Sequence, residues 1–365
     1  MKYCGVVWVS LLLLSCSVEG LKANLTLRGH HDEIWSAKWS PDGQQIATAS
    51  WDKLTKIWDS QTGQELATLS GHKKKVNSVD WHPDGNRVVT ASEDSMAIVW
   101  DTSTGQNILT LKGHDGEVLS AIYSSDGRMI ATAGWDQLTK VWDGRSGQLL
   151  FSLSGHNSVV SSATWNSDGT QILTSSYDGT AKVWDVQAGR LLLTLNEAKD
   201  DVLAMQPMSV VYSPDGKRIL TVCQTAKIWD ATTGQELVSL PPELQIFGSQ
   251  SFPCWSPNGD HIAIEVRSEK TDEVKVYDGK TGKEILNLGS VHSVSWGPDG
   301  KKIVAANWQG QPSLFDAKTG HSLIQKAGKH IGPIWVVDWS PNGQRFLTAS
   351  ADNTTKVWTL PQNQF

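Results

Sequence analysis

Apolar residues along the chain come in short runs, each closed by a turn-forming pair, and the runs recur in a fixed order. One run ends in an aromatic. Trp58, Trp100, Trp142, Trp184, Trp229, Tyr277 and Phe315 each precede Asp, and Trp358 precedes Thr359. The successive spacings are 42, 42, 42, 45, 48, 38 and 43 residues. About nineteen residues upstream a second aromatic closes another run, at Trp39, Trp81, Tyr123, Trp165, Tyr212, Trp255, Trp296 and Trp339. Each of these leads into a turn built on Asp-Gly or Asn-Gly, as in Ser40-Pro41-Asp42-Gly43. Such a dipeptide between apolar runs is a strong hairpin signal, because the turn needs positive φ. A further Gly ends most units, at Gly63, Gly105, Gly147, Gly189, Gly234, Gly282 and Gly320. Each unit therefore reads as four short strands, and eight in-phase copies predict an all-β repeat fold.

Composition follows from the copying. The 365 residues hold 18 Trp but only 5 Tyr and 6 Phe. Twelve of the tryptophans fall on repeat positions and Trp8 lies in the N-terminal segment, leaving Trp35, Trp51, Trp135, Trp308 and Trp335. At 39% hydrophobic and 19% charged the chain can bury a core. A net charge of −6 offers no basic field for nucleic acid or an anionic membrane. Four Cys in this length do not make a disulfide scaffold, and Cys223 and Cys254 read as small buried residues. Phosphate loops, zinc-type cysteine pairs and HExxH patterns are absent.

Residues 1–20 form a separate object. Met1-Lys2 is a short basic start, and Val6 to Leu14 is an apolar run broken only by Ser10. The run is too short to span a bilayer, which takes about twenty residues, and fits the core of an export signal. Two cleavage readings stay open. One cuts after Gly20, with Val18 and Gly20 at the recognised positions. The other reads Leu13-Leu14-Ser15-Cys16 as a lipobox with Cys16 lipidated, although Leu14 stands where a small residue is preferred. The expected location is the periplasm, or the outer membrane as an anchored lipoprotein of a bacterium-like host. Without a functional leader the protein would be cytoplasmic.

The repeat resembles the WD-repeat family of β-propellers. Gly-His opens units at 29–30, 71–72, 113–114 and 155–156, with Gly-Lys-His at 328–330, and Trp-Asp closes them. The resemblance runs from about residue 22 to the C-terminus. Asn24-Leu25-Thr26-Leu27-Arg28 aligns with Leu66-Ala67-Thr68-Leu69-Ser70, so the chain begins with a fourth strand and ends after a third. The expectation is thus an eight-bladed propeller over residues 21–365, its N-terminal strand completing the last blade and closing the ring. The family more often has seven blades. The units from 191 to 320 are degenerate: they lack the opening Gly-His and the turn Asp. Unit six carries a charged hairpin tip from Arg267 to Glu273, and unit seven puts His292 inside its first strand.

Five units carry His, a hydroxyl, Asp and Trp at fixed offsets: His30, Asp52, Trp58; His72, Asp94, Trp100; His114, Asp136, Trp142; His156, Asp178, Trp184; His330, Asp352, Trp358. A Ser or Thr near 48–50, 90–92, 132, 174–176 and 348–350 supplies the hydroxyl. His with Asp and a hydroxyl invites a hydrolase reading, but five identical sets are not one active site. The resemblance makes them a network inside each blade. The same dispersion argues against a metal site, and no cofactor is expected.

The non-repeat aromatics are the candidate binding residues. Trp51, Trp135 and Tyr177 precede the turn Asp, Trp308 sits at the corresponding turn, and Trp35 and Trp335 share a position early in the first strand. The resemblance places both positions on the top face near the channel, with Glu93 and the Lys73-Lys74-Lys75 run on nearby loops. Exposed aromatics in a cluster are the usual anchors of a binding site. The competing reading is that they pack together and plug the channel mouth. The function expected is a monomeric, non-enzymatic scaffold for protein or peptide partners, touching a membrane only through an N-terminal lipid. A propeller that binds carbohydrate or another small ligand is the alternative.

Overall fold

The computed structural model describes residues 21–196, 209–223, 225–241, 253–267, 272–324 and 328–360. The leader, with Cys16, lies outside them. The described residues fold into eight antiparallel sheets, an eight-bladed β-propeller. Blades 1 to 6 each use four strands consecutive in sequence. Blade 7 has three, Val294–Trp296, Lys302–Ala306 and Pro312–Asp316, with Ser322 bridged to Phe315 where a fourth strand would begin. Blade 8 combines Ile334–Trp339, Arg345–Ser350 and Thr354–Thr359 with the N-terminal strand Ala23–Arg28, which pairs antiparallel to Thr354–Thr359. Ring closure by the chain's own beginning is as the repeat alignment implies.

The core lies between blades. Ala47, Ala49, Ile57 and Leu69 of blade 1 pack on Val76, Val79, Trp81, Val88, Ile98 and Trp100 of blade 2. The closing seam repeats this, with Leu347, Ala349 and Val357 of blade 8 on Ile34, Ala37, Trp39, Ile46 and Trp58 of blade 1. Apolar residues on successive strands therefore serve two neighbours, and a blade alone would leave a sheet face wet. Each buried third-strand Trp removes on the order of 200 Å² from water, up to about 5 kcal/mol. The inner-strand Trp does a second job. Its indole N–H reaches back to the preceding blade, from Trp81 to Lys38 O (3.1 Å) and from Trp339 to Ser295 O (3.1 Å).

The turns behave as their composition requires. Gly43 adopts φ +69° and closes the tight turn on Ser40 O. The Asp after the third-strand Trp caps the next turn: Asp59 Oδ1 accepts from the N–H groups of Gln61 and Thr62 and from the Thr62 hydroxyl.

One irregularity of the innermost strand sets up the functional face. In blade 1 Ile34 pairs with Ser50 and Ser36 with Ala49, so Trp35 is the extra residue of a β-bulge. Blades 2, 3, 4 and 8 carry the same shift at their inner strands. A bulge bends the strand and re-aims the side chain it excludes from the ladder. His292 does not lie inside the first strand of blade 7, as the repeat alignment had it. It stands ahead of Val294–Trp296, its N–H donating to Ala306 O, because the degenerate unit shortens that strand.

Candidate functional site on the top face

Five blades carry an identical buried network. In blade 1 His30 Nδ1 meets Asp52 Oδ2, its Nε2 meets Thr48 Oγ1, and Trp58 Nε1–H donates to the same hydroxyl oxygen, all at 2.8 Å. Of the hydroxyls near each turn it is Thr48, Thr90, Thr132, Thr174 and Thr348 that join the histidine. With Nδ1–H donating to the carboxylate, Nε2 accepts the threonine O–H and every donor is used. Asp52 also accepts from the N–H of His31 and Leu54, tying two top-face loops together. Burial alone pushes these five carboxyls up, but the bonds from His and from backbone N–H outweigh it and hold each below the ordinary Asp range. Both nitrogens of each ring are engaged by protein, so the sets are scaffold.

Four of the non-repeat tryptophans, together with His292, converge on one sector. Trp51 stacks on Trp35 with centroids 4.6 Å apart, and Trp35 leans on Trp335 at 5.4 Å and 50°. Trp335 meets Trp308 edge to face at 5.7 Å and 79°, and Trp308 stacks on His292 at 4.2 Å. Five rings thus form a continuous arc over blades 1, 8 and 7. Two carboxylates pin it: Trp335 Nε1–H donates to Glu33 and Trp308 Nε1–H to Asp272, both at 3.1 Å. The Lys75 ammonium lies over the Trp51 ring, 3.5 Å from its centroid. Trp35, Trp51, Trp308 and Trp335 remain half-buried, and beside them Ile331 is 98% exposed at a loop tip.

The other candidates stand apart from the arc. Trp135 on blade 3 is 53% exposed, and Tyr177 on blade 4 is half-buried. Glu93 sits between the two groups. Burial and the charge of Glu117 push its carboxyl up, partly offset by Lys75 and Lys74. Of the lysine run, Lys73 and Lys74 are solvated surface as expected, whereas Lys75 is half-buried against Trp51.

Sequence reasoning left out Glu33 and Asp272, and named His292 and the run containing Lys75 without placing either against an aromatic ring. His292 lies four residues before the inner-strand aromatic Trp296, the spacing of Trp35 from Trp39 and of Trp335 from Trp339. That offset was available as a signal. The roles of the other three depend on contacts between blades, which spacing does not reveal.

A line of charged groups links the innermost strands of blades 8, 1, 2 and 3. Lys38 Nζ pairs with Asp80 Oδ1 at 2.7 Å, and Asp80 Oδ2 accepts from Tyr123 N–H at 2.9 Å. Asp338 accepts from Trp39 N–H at 3.4 Å, and burial pushes its carboxyl up to about 6 although nearby Lys38 opposes this. Among the described residues no group of three or more His, Cys, Asp or Glu could hold a metal ion. Cys223 is buried and Cys254 half-buried, and burial pushes the Cys254 thiol up to about 12.

Eight blades, interblade cores and a strand exchanged across the seam define a closed β-propeller, with a non-repeat aromatic arc on its loop-rich face. The model of the WD domain, G-beta repeat, matches residues 21–59, 63–101, 105–143, 147–185 and 322–359, and the chain belongs to this WD40 family. WD repeat-containing protein 1 of Gallus gallus is 36% identical over 75 residues, 20% of this chain and 12% of that protein. The serine-threonine kinase receptor-associated protein of Gallus gallus is 27% identical over 170 residues, 44% of this chain and 46% of that protein. The chain therefore spans less than half the length of either relative. Among solved structures, the computationally designed Ika8 protein superposes with a TM-score of 0.78 at 23% identity, over 93% of this chain and 99% of that one. That likeness speaks to the fold alone.

Proposed function

We propose that this propeller is a non-enzymatic interaction scaffold that holds a peptide or protein segment on its top face, over the arc of blades 7, 8 and 1. Its WD-repeat relatives support the scaffold role. One observation carries the choice of face: Trp35, Trp51, Trp308 and Trp335 occupy positions the repeated core does not need, yet they meet in one half-buried sector beside the exposed Ile331. Rings that pack on one another are held in place before a partner arrives, which lowers the ordering cost of binding. Large rigid aromatics are also the residues that dominate interface energies.

The test is capture of partners from the native host by the immobilised chain, comparing the wild type with Trp335→Ala and Trp35→Ala. Loss of the same partner in both, with thermal unfolding still cooperative, supports the reading. Equal capture by all three would make the arc a plug of the ring mouth.

Export belongs to the same proposal. The first paired strand begins at Ala23, so removal of residues 1–20 would leave the closing strand and its partners intact. Among the described residues no helix is long and apolar enough to cross a membrane. The intact mass of the native protein, measured separately in membrane and soluble fractions, tests this part. A start at Cys16 with acyl mass means a lipoprotein and a start near Leu21 a free exported scaffold. Retained Met1 means no export.

A further inference from the structure

One seam of the ring is filled differently from the rest. In every other seam the core takes a leucine from the fourth strand of the preceding blade, four residues after the partner of the third-strand aromatic. In blade 1, for instance, Trp58 pairs with Glu65 and Leu69 is the buried leucine. Blade 7 departs from this. Its Phe315 pairs with Ser322, and four places on the sequence has Lys326. A lysine is no substitute for a buried leucine. The core between blades 7 and 8 nonetheless holds one. Leu21 is 6% exposed, among Val304, Ala306 and Leu314 of blade 7 and Ile334 and Val337 of blade 8.

Leu21 enters the seam from the blade 8 side. Ala23 pairs with Trp358 as Glu65 pairs with Trp58, so Leu21 stands at the place of Gly63. Glycines at that place lie against the preceding blade's fourth strand: a methyl on Gly63 would meet Leu27 at 3.3 Å, and one on Gly147 would meet Leu111 at 3.3 Å. A leucine fits in blade 8 because blade 7 brings none to meet it. The Leu21 carbonyl also accepts from Gly328 N–H at 2.9 Å. The N-terminal segment therefore does more than complete blade 8: it reaches over to blade 7.

The same seam carries the arc. Ala306 O accepts from His292 N–H at 2.7 Å, Trp308 follows Ala306 by two residues, and Ile334 directly precedes Trp335. Trp308 meets Trp335 across the seam at 5.7 Å, so the spacing of blades 7 and 8 sets that contact. Resting on the top-face docking reading, we propose that Leu21 is a latch for the arc. Seated, it holds blades 7 and 8 at the spacing that joins Trp308 to Trp335. Withdrawn, it loosens the seam and divides the docking face, so the state of the N-terminal segment regulates partner binding. A close-packed core suits this role, because it transmits the loss of a side chain to its neighbours.

The experiment uses the full chain labelled with 5-fluorotryptophan and follows the fluorine resonances of Trp308 and Trp335, assigned through Trp308→Phe and Trp335→Phe. Leu21→Ala should shift and broaden both, and Leu21→Met, which refills the seam, should leave them near their wild-type positions. Leu111→Ala removes the corresponding leucine between blades 2 and 3 and should leave both in place. Unmoved resonances in Leu21→Ala, or equal movement in Leu111→Ala, overturn the latch. Leu21→Val removes less and must move the same two resonances in the same sense, so the proposal can still fail if Leu21→Ala does not fold.

The two readings fail separately, because the ring resonances need no partner. Moved resonances with no Trp335-dependent partner leave the coupling of Leu21 to the arc standing and overturn the docking reading. Where a partner does depend on Trp335, it should bind Leu21→Ala at least about tenfold more weakly than wild type. Equal affinity alongside moved resonances overturns the regulatory assignment.

Discussion

Blades 1–4 and 8 differ from blades 5–7 in their polar interiors far more than in their packing. In the first group a His–Asp pair, a Thr and a Trp indole form a closed network. Blade 5 keeps the indole end of it, with Trp229 Nε1 on Thr221 at 2.8 Å. Blade 6 puts Tyr277 at the same place, its enclosed hydroxyl without a hydrogen-bond partner, and blade 7 puts Phe315 there. All three aromatics are nonetheless buried, and their strands pair in register. Packing holds a blade together, while the network ties its top-face loops. The arc lies where the two groups meet, with Trp308 and His292 on a degenerate blade and Trp335, Trp35 and Trp51 on regular ones.

The largest effect should come from the seam that joins the series. Removing residues 21–28 takes away the fourth strand of blade 8 and Leu27 from the closing core, and cooperative thermal unfolding should be lost. Removing residues 1–20 should leave the transition in place.

Next, Thr132→Val should cost about 2–4 kcal/mol, because His114 Nε2 and Trp142 Nε1 both lose their partner inside a regular blade. In blade 6 the comparison reverses: Tyr277→Phe deletes a hydroxyl that bonds to nothing and should be neutral or stabilising by about 1 kcal/mol. Denaturant midpoints measure both, and equal losses would show that the network contributes nothing beyond packing.

A pH series sharpens the contrast between networked and seam carboxylates. The five network aspartates are held low, so their contribution is present above the ordinary Asp range and is lost as pH falls through it. Asp338 is the opposite case. Its carboxyl is raised from 3.8 to about 6, so the folded state keeps the proton longer and stability falls as pH rises between those values, by up to about 3 kcal/mol. Stability should therefore peak on the acid side of neutrality. Asp338→Asn should raise the midpoint at pH 7.5, with a gain that shrinks toward zero by pH 4. A gain of equal size at both pH values would refute the assignment.

The smallest effect concerns the turn after the network Asp. Lys53, Ser95, Gln137 and Asn353 take positive φ there, where blades 4 and 7 use Gly179 and Gly310. Lys53→Gly should stabilise by about 0.5–1 kcal/mol, read as a rise in Tm, because it relieves a left-handed side-chain conformation.

The all-β class, the blade number, the closing strand and the His, Asp and Trp of each network were legible in the amino-acid order, while in four blades the structure chose which hydroxyl joins them. Repetition averages out local ambiguity, since an aromatic-Asp pair means little once and a great deal at seven matched places. The site was half legible. Subtracting repeat positions isolated Trp35, Trp51, Trp308 and Trp335, and also Trp135 and Tyr177, which stand on blades 3 and 4 and, among the described residues, join no ring contact with the arc. Lys75 was lost among two solvated neighbours, and nothing local to Glu33 or Asp272 marks them as indole acceptors.

The order of residues by itself determined what each blade is, because strand period, turn chemistry and the His–Asp–Thr–Trp offsets all act within about forty residues of chain. Only the closed ring decided which residues meet across blades. Glu33 and Trp335 lie 302 positions apart and become neighbours when the first strand pairs with the last. The inner-strand bulge then turns Trp35 and Trp335 out of their ladders and toward each other. Such contacts depend on the curvature of eight stacked sheets, a property of the whole ring that no single repeat contains.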